Sequence, residues 1–177
     1  MDNARLTALR ARMAETGIDA YIVPTADDHE SEYVGEHYKA RAFCTGFTGS
    51  AGICAVTQED AVLWTDGRYF IQAAREIEGS GFRLLRSGEP GVPTLREFLA
   101  SALPEGGCLG FDGEVINEAM ARDLRAALTP KRVRLRMDRD LVGEIWADRP
   151  ARSATEAFLL PVERTGCSAA EKLALFR

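Results

Sequence analysis

Histidine is nearly absent from this chain: its 177 residues include two, His29 and His37. That scarcity works against a hydrolytic dinuclear centre, which gathers several Asp, Glu and His ligands into one cavity. His29-Glu30-Ser31-Glu32-Tyr33 starts like a zinc-protease helix, but such a site needs a second histidine one helical turn on, and Tyr33 stands there. His37 would sit about 80° further round a helix from His29 and does not naturally share a metal with it. The metal-ligand expectation is therefore none, with Glu32 and Glu36 read as part of a solvated stripe.

Other absences narrow the field further. Lys and Arg total 22 against 27 Asp and Glu, a net charge of −5, and the basic residues are scattered, so no nucleic-acid partner is expected. The densest basic run, Lys131 to Arg136, alternates with Val133 and Leu135, which reads as a strand with its apolar residues inward and its arginines in water. No C-x-x-C pair links Cys44, Cys54, Cys108 and Cys167; they read as free thiols, all but Cys167 among apolar neighbours, and suit a reducing compartment. No charged segment followed by an apolar run opens the chain, and no apolar stretch nears the roughly 20 residues of a membrane span. The expected location is cytoplasmic, with no membrane partner. Gly46-Phe-Thr-Gly49-Ser-Ala-Gly52 lacks the Gly-Lys-Ser/Thr of a phosphate cradle and leads into a strand, so it reads as a turn in which Thr48 and Ser50 make local hydrogen bonds. Ser50 has neither a strand-to-helix elbow nor an identifiable base, and no catalytic residue is assigned.

What is present is a run of periodic segments sized for one domain. Leu6, Leu9 and Met13 predict an amphipathic helix from about Asn3 to Thr16, closed by Gly17. Asp19–Pro24 reads as a strand, 27–36 as a short helix or loop, and Ile53–Val56 with Ala61–Trp64 as a hairpin. Helices at Arg68–Glu78, Thr94–Ala102, Asn117–Leu128 and Asp140–Trp146 alternate with strands at Phe82–Leu85, Cys108–Phe111 and Val133–Leu135. Thr94-Leu-Arg-Glu97 is a capping box, Asn117 is a cap and Pro130 a stop. The fold class is α/β, with a mixed sheet flanked by helices because of the hairpin. Residues 1–148 read as this domain and 149–177 as a linker plus the start of a truncated second one: Ser168-Ala-Ala-Glu171 caps a helix of barely two turns, too short to stand without something to pack on. The alternative is a frayed C-terminus.

The stretch Leu63-Trp64-Thr65-Asp66-Gly67-Arg68-Tyr69-Phe70 reads as a strand entering a helix with Asp66 as its cap. Phe70, Ala73, Ala74 and Ile77 make the core-facing stripe, so Arg68 projects from the first turn toward solvent or a partner. A cation there opposes the helix dipole at a cost of about 0.3–1 kcal/mol, partly offset by Asp66. The residues alone leave a plain surface arginine and a functional one both open.

Taken in order, YIVPTADDHESEY, RAFCTGFTGSAG, LWTDGRYFIQAA, LPEGG with GFDG, LVGEIWADRP and TGCSAAEKLALFR resemble the N-terminal region of cytosolic-type Xaa-Pro aminopeptidases of the creatinase/prolidase group. The resemblance covers nearly the whole chain. It implies a ribonuclease H-like domain, non-catalytic in itself, from a three-domain enzyme that releases the N-terminal residue of peptides with proline second. In such an enzyme the last domain holds two divalent ions, usually manganese, and homodimers are typical. No metal ligand carries over to this chain. Arg68 stands at the arginine of the family's DGRYF motif and is implied to bind substrate, with His29 and Tyr69 as possible site neighbours. A free-standing binding or regulatory module, or a prolidase or creatinase relative, are the alternatives.

Overall fold

The computed structural model describes residues 4–177, so the predicted helix start at Asn3 lies outside the described residues. In chain order the elements are α1 (Ala4–Thr16), β1 (Ala20–Pro24), α2 (Ala40–Thr45), β2 (Ile53–Thr57), β3 (Ala61–Thr65), α3 (Phe70–Glu76), β4 (Arg83–Arg86) and α4 (Leu95–Ala102). They continue with β5 (Cys108–Gly110), α5 (Glu118–Leu128), β6 (Arg134–Arg136), α6 (Leu141–Ile145), α7 (Val162–Thr165) and α8 (Ala169–Leu175). The strands form one sheet in the order β4-β3-β2-β1-β5-β6. It is mixed: β1–β2 and β2–β3 are antiparallel, while β3–β4, β1–β5 and β5–β6 are parallel.

Both faces of the sheet are covered, and the period-two alternation of the strands sorts the core into two layers. Tyr21 and Val23 of β1, Cys54 and Val56 of β2 and Leu63 of β3 pack with Leu6, Leu9 and Met13 of α1, Cys44 of α2 and Leu141 and Val142 of α6. Ala20 and Ile22, Ala55, and Val62 and Trp64 face the other way, onto Leu99 of α4 and Leu124 and Leu128 of α5. The Tyr21 hydroxyl donates to the Arg139 carbonyl at 2.9 Å and accepts from the Leu141 amide at 3.1 Å, which fixes the start of α6 to the central strand.

Local signals held where they were local. Thr94 and Glu97 form the capping box of α4, Asn117 accepts from the Met120 amide, and Ser168 and Glu171 box the start of α8. Cys44, Cys54 and Cys108 are buried and Cys167 is half-buried. Arg134 of β6 is exposed, while Val133 and Leu135 pack on the core.

Of the two readings of 27–36 the loop holds over 27–35, followed by one 3₁₀ turn at Glu36–Tyr38. Several other expectations are corrected. The helix α2 was not anticipated; it is only six residues long, too short for a periodic signal, and ends at Gly46 with φ +81°. The helix expected from Arg68 begins at Phe70, because Tyr69 sits at φ −117°, ψ 0° and no side chain caps it. Ala74 is exposed, leaving Ala73 and Ile77 as the buried part of that helix's stripe. Beyond Ala151 most side chains face water, Phe158 and Leu159 among them, and α7 is one turn the sequence did not signal.

Candidate functional site

The strand β3 ends at Thr65 and delivers Asp66-Gly67-Arg68-Tyr69 to the surface as a turn closed by the Tyr69 amide on the Asp66 carbonyl, 3.0 Å. Asp66 Oδ1 accepts from the Arg68 amide at 3.0 Å and from Arg68 Nε at 2.9 Å, and Oδ2 accepts from Nη2 at 2.8 Å. Asp66 therefore caps a turn and an arginine, not the helix. The hydrogen bond from Arg68 holds the Asp66 carboxyl down at about 2, and the same bond raises the already high pKa of Arg68. Arg68 lies ahead of the helix with its own counter-charge, so the predicted conflict with the helix dipole is largely removed. Its side chain is 68% exposed and its guanidinium lies 5.3 Å from the Tyr69 ring centre.

Tyr69 is fixed in turn. Its hydroxyl is 2.7 Å from Ser50 Oγ, and its ring stands edge-on to Phe47. The 46–52 loop that supplies these partners is tied from four directions. Arg41 donates to the Phe47 and Gly49 carbonyls; Glu76 accepts from the Thr48 amide and hydroxyl; Thr65 Oγ1 donates to the Ala51 carbonyl; and Thr25 donates twice to Gly52. Thr48 and Ser50 thus reach distant partners, not local ones. A Cβ on Gly49 would overlap Phe47 and lie 2.7 Å from Tyr69 Cδ1, and one on Gly52 would lie 2.8 Å from the Trp64 carbonyl oxygen. The loop needs glycine there because backbone and rings pass so close.

His29 falls elsewhere. It borders a shallow depression with Glu30, Glu114 and Asn117, while Arg68 and Tyr69 are not among its lining. Asp27 organises this turn by accepting from the His29 and Ser31 amides, each 2.9 Å, and the Ser31 bond is the main cause of its lowered pKa. Asp27, Asp28 and His29 place three ligand atoms within 4.8 Å of one another, and two of the three residues are exposed. His37 is turned away, donating from Nδ1 to the Pro150 carbonyl at 2.7 Å.

A cleft of about 260 Å³ is lined among others by Glu32, Tyr33, Arg41 and Ser50; Arg68 is not among its lining, and Ser50, bonded to the Tyr69 hydroxyl, connects it to the Arg68 turn. Arg41 drew no attention in the sequence because nothing local distinguishes it; RAFCTG marks it only through the helix it opens and the glycine that ends that helix.

A mixed six-stranded α/β domain, covered on both faces and carrying an ion-paired arginine on its strand-to-helix turn, is the class that fold and site define. The chain belongs to the Creatinase/Prolidase N-terminal domain family, which it matches over residues 5–137. It is 40% identical to Aminopeptidase P2 of Arabidopsis thaliana over 178 residues, covering 98% of this chain and 25% of that protein. A probable Xaa-Pro aminopeptidase P of Neurospora crassa is also 40% identical, over 98% of this chain and 26% of its own. Among solved structures, the X-prolyl aminopeptidase of Caenorhabditis elegans, described as a cytosolic enzyme with a di-nuclear active site, aligns with a TM-score of 0.86 at 30% identity. That match covers 98% of this chain and 30% of the other. The N-terminal domain of the cytoplasmic peptidase PepQ of Mycobacterium tuberculosis H37Rv aligns at 0.58 and 29% identity, over 81% and 98%. The chain thus spans about a quarter of the length of the relatives it matches. Among the described residues no helix is long and apolar enough to cross a membrane.

Proposed function

We propose that residues 1–148 are the substrate-shaping, non-catalytic domain of a metallo-aminopeptidase that releases the N-terminal residue from peptides with proline second, and that 149–177 lead into its second domain. The observation that carries this is Arg68: exposed, gripped on one edge by Asp66, and presented on a rigid turn in a chain whose relatives are named Xaa-Pro aminopeptidases. A guanidinium clamped through Nε and Nη2 keeps Nη1 free to donate to a peptide carbonyl or carboxylate. Its role is to anchor substrate downstream of the scissile bond, with Tyr69 as the surface beneath it.

The described residues do not fit a two-metal centre. Asp27, Asp28 and His29 are the group of potential ligands found, they are largely exposed, and a dinuclear site needs more donors in an enclosed cavity. Two divalent ions, manganese in this reading, belong to the part of the complete protein outside this chain, as do the second and catalytic domains and a homodimer interface. The location we assign is cytoplasmic. The first test assays this chain and the complete protein, each with manganese, on an X-Pro tripeptide. Release of the leading residue by the complete protein alone supports the assignment, and metal-dependent release by this chain refutes it.

A further inference from the structure

Arg41 is a buried cation to which no carboxylate among the described residues is hydrogen-bonded. Only 4% of the residue is exposed, and its guanidinium donates to three neutral oxygens: Thr25 Oγ1 from Nε at 2.6 Å, the Phe47 carbonyl from Nη1 at 2.9 Å, and the Gly49 carbonyl from Nη2. Glu76, the carboxylate acting on it through space, spends its oxygens on Thr48 and Gln72. A guanidinium carries five N–H groups, so two are left without an oxygen acceptor among the described residues, and the Phe47 ring, its centre 4.6 Å from the guanidinium carbon, meets the charge only in part. Desolvation pulls the pKa of Arg41 down, as it does for a charge held out of water without full compensation. Buried charges are ordinarily paired.

This one borders the cleft described above, together with Tyr33, Val34, Ala42 and the Thr48-Gly49-Ser50 loop. The cleft shares a wall with the Arg68 site: Ser50 lines it, and Ser50 Oγ is bonded to the Tyr69 hydroxyl beneath Arg68. At about 260 Å³ it is smaller than the roughly 300–1,000 Å³ of most ligand pockets, which suits the end of a chain better than a whole small molecule. Of its other charges, Lys39 is paired with Glu36, and Glu32 is exposed, where water screens it, while Arg41 acts from a lower dielectric.

We propose that this cleft is a carboxylate subsite, which takes the C-terminal carboxylate of a short peptide substrate with Arg41 as its counter-ion. The proposal rests on the peptide-anchoring reading of Arg68. Its test uses the complete protein and X-Pro peptides of three to six residues, each with a free or an amidated C-terminus. In the wild type, at the length that brings the carboxylate to the cleft, the free acid has a KM lower by about five-fold or more; in Arg41→Lys, which loses the planar fork, and in Ala42→Leu, which fills the cleft, the ratio falls below about two-fold. Circular dichroism melting verifies that each variant is folded, and Ala42→Leu alone decides if Arg41→Lys is not. Equal KM for acid and amide at every length, or a preference that survives both variants, overturns the subsite. Absence of any cleavage by the complete protein strikes the aminopeptidase assignment instead.

Discussion

Arg68 is held by Asp66, two residues before it, through a bidentate ion pair in which Nε and Nη2 each meet a separate carboxylate oxygen. The pair turns a long, flexible side chain into a pre-oriented one, which reduces the entropy lost when a ligand is bound.

Arg68→Ala in the complete protein is expected to raise KM or lower kcat/KM by one to two orders, about 1.4–2.8 kcal/mol. Arg68→Lys should recover only part of this, since an ammonium cannot satisfy Asp66 and a substrate oxygen in one plane. Unchanged kinetics across peptide lengths would remove Arg68 from the site.

The Asp66 carboxyl is depressed to about 2, first by its side-chain bond from Arg68. A lowered folded-state value means that the stabilisation is present above the ordinary carboxylate range and is lost as pH falls through about 2. The pair is mostly exposed, so the effect on overall stability is small. Carbon-detected NMR titration should find the Asp66 midpoint at about 2, and clearly higher in Arg68→Ala, which loses the side-chain bond and keeps the one from the residue-68 amide. An unmoved titration in that variant would disprove the ion pair as the cause.

Tyr69→Phe and Ser50→Ala each remove one partner of the 2.7 Å bond between them. Each should cost about 0.5–1.5 kcal/mol in urea unfolding, and the double variant less than the sum. Strict additivity would mean that the two hydroxyls are not coupled. Gly49→Ala, whose Cβ would run into Phe47 and Tyr69, is expected to destabilise by about 1–3 kcal/mol.

Burial raises the Cys44 thiol well above its ordinary value and the Cys54 thiol to about 12. Both are enclosed, so iodoacetamide at pH 8 should modify half-buried Cys167 first and reach Cys44 and Cys54 only on unfolding. Mass spectrometry of the native protein reads the order; early alkylation of Cys54 would contradict the packing between β2 and α1.

The sequence told most where the signal was short in range. Helix faces such as Leu6-Leu9-Met13, the caps at Thr94, Asn117 and Ser168, and the buried apolar strands follow from periodicity and from hydrogen bonds between neighbours. Asp66 shows how such a rule can mislead: an aspartate accepting the amide two residues on looks the same at a helix cap and in a turn, and only the backbone at Tyr69 separates them. Arg68 itself was picked out by its motif and its unfavourable charge, with Asp66 as a partial offset but without the bidentate geometry of the pair.

By itself, then, the sequence determined the longer elements, the α/β class with its early hairpin, and the lack of a zinc-type histidine pair, because each depends on residues a few positions apart; the short α2 and α7 were not legible in it. Tertiary structure alone decided the strand order, the separation of His29 from Arg68, and the meeting of Arg41, Gly49, Ser50 and Tyr69. Their hydrogen bonds join residues up to 19 positions apart, and no local preference encodes which distant carbonyl a buried guanidinium will find once two faces of a sheet have closed.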